Sequence, residues 1–202
     1  MSGNTMPARF QSVERGMIAA VATTLECLAP PEPRPEPANL AGSIEARPGI
    51  DVETYLGLYR HVGADHLWFS RLYMSRDELA AILASPRTEV YAYRVGARDE
   101  GILELDFAEA GACEIKYFGV ARSLQGTGAA RRLMNFALSR AFAAEGVRRV
   151  WLHTNTIDHP RALDFYRRTG FRPIGQEIEI TPDPRLNGAL PRDSAPHVPI
   201  FE

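Results

Sequence analysis

Three groups of residues in this chain combine side-chain type with a spacing that could do chemistry. The first is Gln125-Gly126-Thr127-Gly128-Ala129-Ala130, which follows the strand-like run Cys113–Val120 and precedes a long apolar periodicity. A strand feeding a glycine-rich turn that opens a helix leaves several backbone N–H groups aimed one way, and the helix dipole adds positive potential. The segment therefore reads as a cradle for a pyrophosphate. Gly126 and Gly128 lack a Cβ and let a phosphate approach the backbone. The second is Tyr166 in Ala162-Leu163-Asp164-Phe165-Tyr166, a phenol able to protonate a developing anion; core packing beside Leu163 is the alternative. The third is the carboxylate set Glu114, Glu104 and Asp106 on adjacent strand-like runs. Glu114 is able to accept a proton through water, or else pairs with Lys116 on the same strand face.

Other residues fit around these. His153 and Asn155 lie two apart on one strand face, where a histidine shuttles a proton, lines a ligand pocket or, more commonly, is buried and hydrogen-bonded. Trp68, Phe69 and Arg71 in Leu67–Arg71 combine two aromatic rings with a cation, as the wall of a ligand pocket does; apolar packing is the simpler reading for Trp68 and Phe69. His61 and His66 lack metal-ligand spacing, and Cys27 and Cys113 are too few for a cysteine zinc site or a disulfide framework, so no metal is expected. Lys116, the only lysine among 23 basic residues, stands between Ile115 and Tyr117, which excludes the lysine of a Walker A loop. A dinucleotide fingerprint fails because Arg131 occupies its last position.

These residues need elements to hold them. Ordinary apolar (45%) and charged (24%) fractions over 202 residues suit one folded domain with an appendage. A net charge of −2 argues against a sequence-tolerant nucleic-acid binder. No apolar run approaches the ~18 residues of a membrane span, and Glu14 and Glu26 around the short patch Met17–Val21 argue against a secretory leader, so a cytoplasmic setting is expected. Val21, Thr23, Leu25 and Cys27 alternate as in a strand, while Phe10, Val13, Met17, Val21, Leu25 and Leu28 also fit a helical stripe. Pro30–Pro37 holds five prolines in eight residues and reads as an extended connector, with a P-x-x-P ligand as the alternative.

Beyond Asn39, helices are expected over Asp51–His61 and from the Ser75/Glu78 capping box to Ala84. Strands Glu89–Val95, Gly101–Phe107 and Cys113–Val120 form an antiparallel meander. A helix over Gly128–Glu145, a strand Val147–Thr154, a helix Pro160–Thr169 and a strand Phe171–Ile180 follow. The organisation is an N-terminal segment (1–38) with a proline-rich connector, a main domain (39–181) and a proline-rich C-terminal tail (182–202). Strands then β-turn-helix-β-helix-β indicate an α/β (α+β) fold, a mixed, mostly antiparallel central sheet flanked by helices on both faces.

Gln125-Gly-Thr-Gly128-Ala-Ala130 satisfies Q/R-x-x-G-x-G/A, and Asn155…Ala162-Leu-Asp-Phe-Tyr166…Gly170-Phe171 follows it in the right order. Together these resemble the two signatures of the GNAT (GCN5-related) N-acetyltransferases, over about Ile44–Ile180. Asp158-His-Pro160 and the tail Asp183-Pro-Arg185…Ala195-Pro-His197 are similar to one bacterial branch of that superfamily. The resemblance implies the GNAT fold, with a tail packed on the domain and a first strand supplied from before Asn39. It also implies direct transfer of acetyl from acetyl-CoA, as co-substrate, to the primary amine of a small molecule or peptide. Phe118, Gly119 and Val120 would hold the pantetheine arm and thioester, and the amides of Gln125, Gly126, Thr127, Gly128, Ala129 and Ala130 the pyrophosphate. Tyr166 would protonate the thiolate and Glu114 act as base. Asn155 matches the family's asparagine only loosely, which leaves His159 or Asp158 as alternatives. Trp68, Phe69, Arg71, Glu104 and His153 would then meet the acceptor. No nucleic-acid or membrane partner is expected, and homodimers are common in the superfamily. A non-catalytic acyl-CoA-binding module and a transferase of a longer acyl group are the rival functions.

Overall fold

The computed structural model describes residues 10–202; residues 1–9, with their share of the 1–38 segment and of the argument against a leader, lie outside the described residues. The chain runs β1 (Met17–Cys27), β2 (Ser43–Ala46), α1 (Val52–Gly63), α2 (Arg76–Leu83), β3 (Thr88–Val95), β4 (Arg98–Asp106), β5 (Ala112–Val120), α3 (Ala129–Ala143), β6 (Arg149–Asn155), α4 (Ala162–Arg168) and β7 (Arg172–Pro182). Both early helices have the caps their sequence announces. Asp51 accepts from Thr54 N–H at α1, and Ser75 with Glu78 closes a full capping box at α2.

All seven strands form one sheet in the order β2-β3-β4-β5-β6-β1-β7, antiparallel throughout except for the parallel pair β5–β6. Met17–Cys27 is a strand: Thr23, Leu25 and Cys27 of the alternating set are buried, Val21 of that set is exposed, and Phe10 and Leu28 of the competing helical stripe are exposed. β1 lies between β6 and β7 and pairs with both, so the first strand in sequence is the next to last in space.

Each face of the sheet carries its own core. Tyr55, Leu56 and Tyr59 of α1 and Leu79 of α2 cover Val90, Ala92 and Ile102. Leu133, Met134 and Leu138 of α3, with Tyr166 and Phe171, cover Leu103, Leu105, Cys113, Ile115 and Leu152 on the opposite face. The pairing of β4 with β5 slips by one residue between Glu104↔Tyr117 and Leu105↔Ile115, leaving Lys116 in a bulge. The bulge moves Tyr117 to the α1/α2 face and brings Phe118 and Val120 to the α3/α4 face.

After β1 the proline-rich stretch straps across α3. Asn135 binds the backbone of Arg34 on both sides, accepting its N–H (3.1 Å) and donating to its carbonyl (2.9 Å). Arg132 binds Glu36 at 2.7 Å and the carbonyls of Leu40 and Gly42. Among the described residues no helix is long and apolar enough to cross a membrane.

The tail is organised by one buried ion pair. Arg185 binds Asp183 at 2.7 Å, both side chains being 1% exposed, and donates to the carbonyls of Ser194, Ala195 and Val198. Leu190 and Ala195 meet Ile18 and Ala20 of β1 and Leu67. Burial alone would raise the Asp183 carboxyl, but the hydrogen bonds and charge of Arg185 outweigh it and hold the group below the ordinary value. Replacing Arg185 with Ala strands a buried carboxylate and three carbonyls, and should lower unfolding stability by about 3–5 kcal/mol in urea titration. Because the folded carboxyl is depressed, its contribution is complete above the unfolded value near 4 and is lost as pH falls toward the folded value. Asp183→Asn should remove that portion of the acid sensitivity.

Candidate active site

β5 and β6 pair over only three residues, Ala112↔Arg149, Cys113↔Val150 and Glu114↔Trp151, and then part. Beyond Glu114 the free edge of β5 and the free edge of β6 face a cleft of about 700 Å³ that reaches both faces of the sheet. On the α3/α4 side it is lined by Phe118, Gly126, Gly128, Ala130 and Tyr166, and on the α1/α2 side by Trp68, Phe69, Arg71, Lys116 and His153.

The glycine-rich turn uses half of its amides internally. Gln125 N–H donates to Arg122 O, Thr127 N–H to Leu124 O and Ala129 N–H to the Thr127 hydroxyl. The amides of Gly126, Gly128, Ala130 and Arg131 make no hydrogen bond among the described residues, and it is these residues, with Gln125, that line the cleft. Thr127 and Ala129, expected among the phosphate ligands, do not: their amides are tied down, and Ala129 is fully buried in the core. Gly128 sits at φ 103°, where a Cβ would meet Pro37 of the strap at 2.7 Å; Gly126, at φ 79°, has open space in front of it. Alternate bare amides at a helix start fit an extended anion such as a pyrophosphate.

Tyr166 on α4 lines the cleft with its ring edge-on to Phe118 and Phe171. Burial pushes its phenol well above the ordinary tyrosine value, and the carboxylate of Asp158 acts in the same direction. Burial likewise pushes the Cys113 thiol up to about 12. It therefore stays protonated and unreactive at neutral pH.

Glu114, the last residue of β5 paired with β6, is 8% exposed and does not line the cleft. Its carboxylate binds Lys116 Nζ at 3.0 Å and stands 3.7 Å from His153 Nδ1. His153 and Lys116, which do line the cleft, stand between it and that space. Glu104 does not line the cleft either: it is 0% exposed and accepts from Arg71 and from the Tyr55 hydroxyl, so it anchors Arg71. Arg71 keeps a buried, unpartnered Nε at the cleft, and His66 a buried, unpartnered Nδ1.

Asn155 reaches the cleft, but its side chain organises the following turn. Oδ1 accepts from the N–H groups of Ile157 and Asp158, and Nδ2 donates to Glu179 at 3.0 Å. Asp158 is held by Thr154 at 2.7 Å, by Asn155 N–H at 3.0 Å and by the Trp68 indole at 3.3 Å. His159 accepts from Arg161 N–H on Nδ1 and keeps Nε2 available. Sequence reasoning missed Glu179, which arrives from β7, and Arg34, Arg131 and Arg168, which converge from three separate elements. The residues show no short-range pattern that links them. Among the described residues no group of three or more His, Cys, Asp or Glu is arranged to hold a metal.

The acetyltransferase (GNAT) family model matches residues 53–171. Similar solved structures include a GNAT-family protein from Novosphingobium aromaticivorans (16% identity, 85% of this chain and 68% of that one, TM-score 0.56). A GCN5-related N-acetyltransferase from Kribbella flavida (18%, 86% and 63%, 0.55) and an aminoglycoside acetyltransferase from an uncultured soil metagenomic sample (21%, 63% and 86%, 0.52) are similar too. The chain spans under two thirds of the Kribbella protein and 63% of a functionally unknown conserved protein from Staphylococcus epidermidis. A comparison with curated proteins finds no significant match.

The role of Glu104 is open to direct test. Glu104→Gln leaves the Arg71 charge without its counter-ion where the two side chains are 4% and 1% exposed. Unfolding stability should fall by about 3–5 kcal/mol. A loss below about 1 kcal/mol would mean the pair is not the anchor described.

Proposed function

The chain belongs to the acetyltransferase (GNAT) family, and from that premise we propose that it transfers acetyl from acetyl-CoA to a primary amine by direct attack on the thioester. The observation that carries this reading is the parted β5–β6 edge, which leads from four bare amides past Tyr166 to His153 within one cleft. Bound acetyl-CoA supplies a thioester whose carbonyl the amine attacks, forming an amide C–N bond and breaking the C–S bond.

The chain's own residues take the remaining tasks. The amides of Gly126, Gly128, Ala130 and Arg131 hold the pyrophosphate. The free edge of β5 at Phe118–Val120 offers backbone groups to an amide-bearing arm, as an added strand would use them. Tyr166, kept protonated by burial, donates to the leaving thiolate. His153 faces the amine and receives its proton, while Glu114 behind it steadies the imidazolium; this places the base one residue nearer the cleft than Glu114 itself. Asp158 and Glu179 line the cleft and make no ion pair with a cation among the described residues, which favours a protonated amine arriving there. With Cys113 protonated and buried, an acyl-cysteine route has no nucleophile there.

Release of free thiol from acetyl-CoA in the presence of a panel of primary amines tests the reading. His153→Gln and Tyr166→Phe should each lower kcat by about 10²–10⁴ while acetyl-CoA still binds in calorimetry. Binding with no turnover on any amine would support a non-catalytic module instead. Because burial raises the Tyr166 phenol, activity should persist through pH ~10, where free tyrosine ionises, and an alkaline loss near that value would remove Tyr166 as the acid. Glu179→Gln should raise KM for the amine by about tenfold and leave the affinity for acetyl-CoA unchanged.

A further inference from the structure

The strap brings a cation to the cleft that neither the family match nor the glycine-rich turn accounts for. Arg34 lies outside residues 53–171. Its backbone is clamped on both sides by Asn135, and its guanidinium stands 5.9 Å over the ring of Phe165. Arg131, on the first turn of α3, donates to the carbonyl of Pro35, the next strap residue. Arg168 ends α4, three residues on from Phe165. All three arginines line the cleft beside Gly126 and Gly128.

None of the three makes an ion pair with a carboxylate among the described residues, whereas the adjacent Arg132 is bound to Glu36. Burial and then the charges of Arg131 and Arg168 pull the Arg34 guanidinium down from its ordinary value, the mark of like charges held close. Such a gathering is unfavourable unless an anion sits among the guanidinium groups. The bare amides of the turn already suit a pyrophosphate. Coenzyme A carries one further phosphate, on the ribose 3′ oxygen.

We propose that Arg34, Arg131 and Arg168 form the seat of that 3′-phosphate, so that the proline-rich strap is part of the cofactor site. The inference rests on the acetyl-CoA reading above. Guanidinium groups suit the task because their planar forks bind phosphate oxygens bidentately. The strap fixes Arg34 through its backbone, so the side chain is presented at little cost in ordering.

Calorimetry with acetyl-CoA and with 3′-dephospho-acetyl-CoA, on the full chain and on Arg34→Met and Arg168→Met, tests this seat. The wild type should bind the 3′-phosphorylated ligand at least about tenfold more tightly. Each variant should lose most of that preference while keeping its affinity for the dephospho ligand, and thermal melting checks that it remains folded. Equal affinity of the wild type for both ligands overturns the seat and leaves acetyl-CoA binding intact. Equal weakening of both ligands in Arg34→Met also overturns it, moving Arg34 to the pyrophosphate. Failure of the folded wild type to bind either ligand overturns this inference together with the proposed function.

Discussion

The site depends on two neighbouring strands ceasing to be neighbours. β5 and β6 are the only parallel pair in the sheet and hold together for three residues, ending at Glu114 and Trp151. A β-sheet normally satisfies every central N–H and C=O by its ladder, and a gap in mid-sheet leaves polar edges that want partners. The gap survives because each strand is secured on its other side, β5 by six register pairs with β4 and β6 by six with β1. The bulge at Lys116 adds the local change of direction. It also reassigns faces, so that Phe118 packs with Phe165 and Tyr166 while Tyr117 joins Tyr59 and Trp68 opposite. One extra residue thus gives the cleft two chemically different sides.

Much of what secures the gap comes from outside the family-matched region. β1 backs β6 on the side away from the gap, and its two ladders join β6 to β7. The Asp183–Arg185 pair then folds the tail against β1, so a buried charge pair with several carbonyl acceptors takes the place of regular secondary structure. A pair this deeply buried is a poor source of net stability but a strong selector of one arrangement, since any other leaves a charge or a carbonyl unmatched. The strap acts similarly on α3 through Asn135 and Arg132, while Pro37 fills the space in front of Gly128.

The fold was largely legible because its signals are local. Alternation gave the β3–β5 meander, the Ser75/Glu78 box gave the start of α2, and two motifs in order gave the strand-turn-helix of β5 and α3. What sequence left open was whatever depends on distant partners. Alternation and helical stripe competed over Met17–Leu28, and only pairing with β6 and β7 decides between them. The proline count marked 30–37 as extended but could not show that a surface awaited it. At the site, residue types were legible and roles were not. Glu104 and Asn155 looked available, yet each is engaged by a partner remote in sequence, Arg71 and Glu179, whereas the pairing of Glu114 with Lys116 was legible from their spacing. The amides of Thr127 and Ala129 fail for the opposite reason, a bond within the turn itself.

The charge layout of the cleft follows from which strands and helices end there. Arginines of the strap, of the first turn of α3 and of the end of α4 line the cleft with the glycine-rich turn, while Asp158, after β6, and Glu179, on β7, also line it. A ligand with an anionic end and a neutral thioester end has one favourable orientation in such a field, and a cationic amine is drawn to the opposite mouth. Net charge hides this, since −2 sums 23 basic and 25 acidic residues wherever they stand. On the proposed reading the same layout separates binding from chemistry: the guanidinium groups meet phosphates that take no part in making or breaking bonds, so their attraction is felt equally before and during the reaction, and rate differences come from Tyr166 and His153.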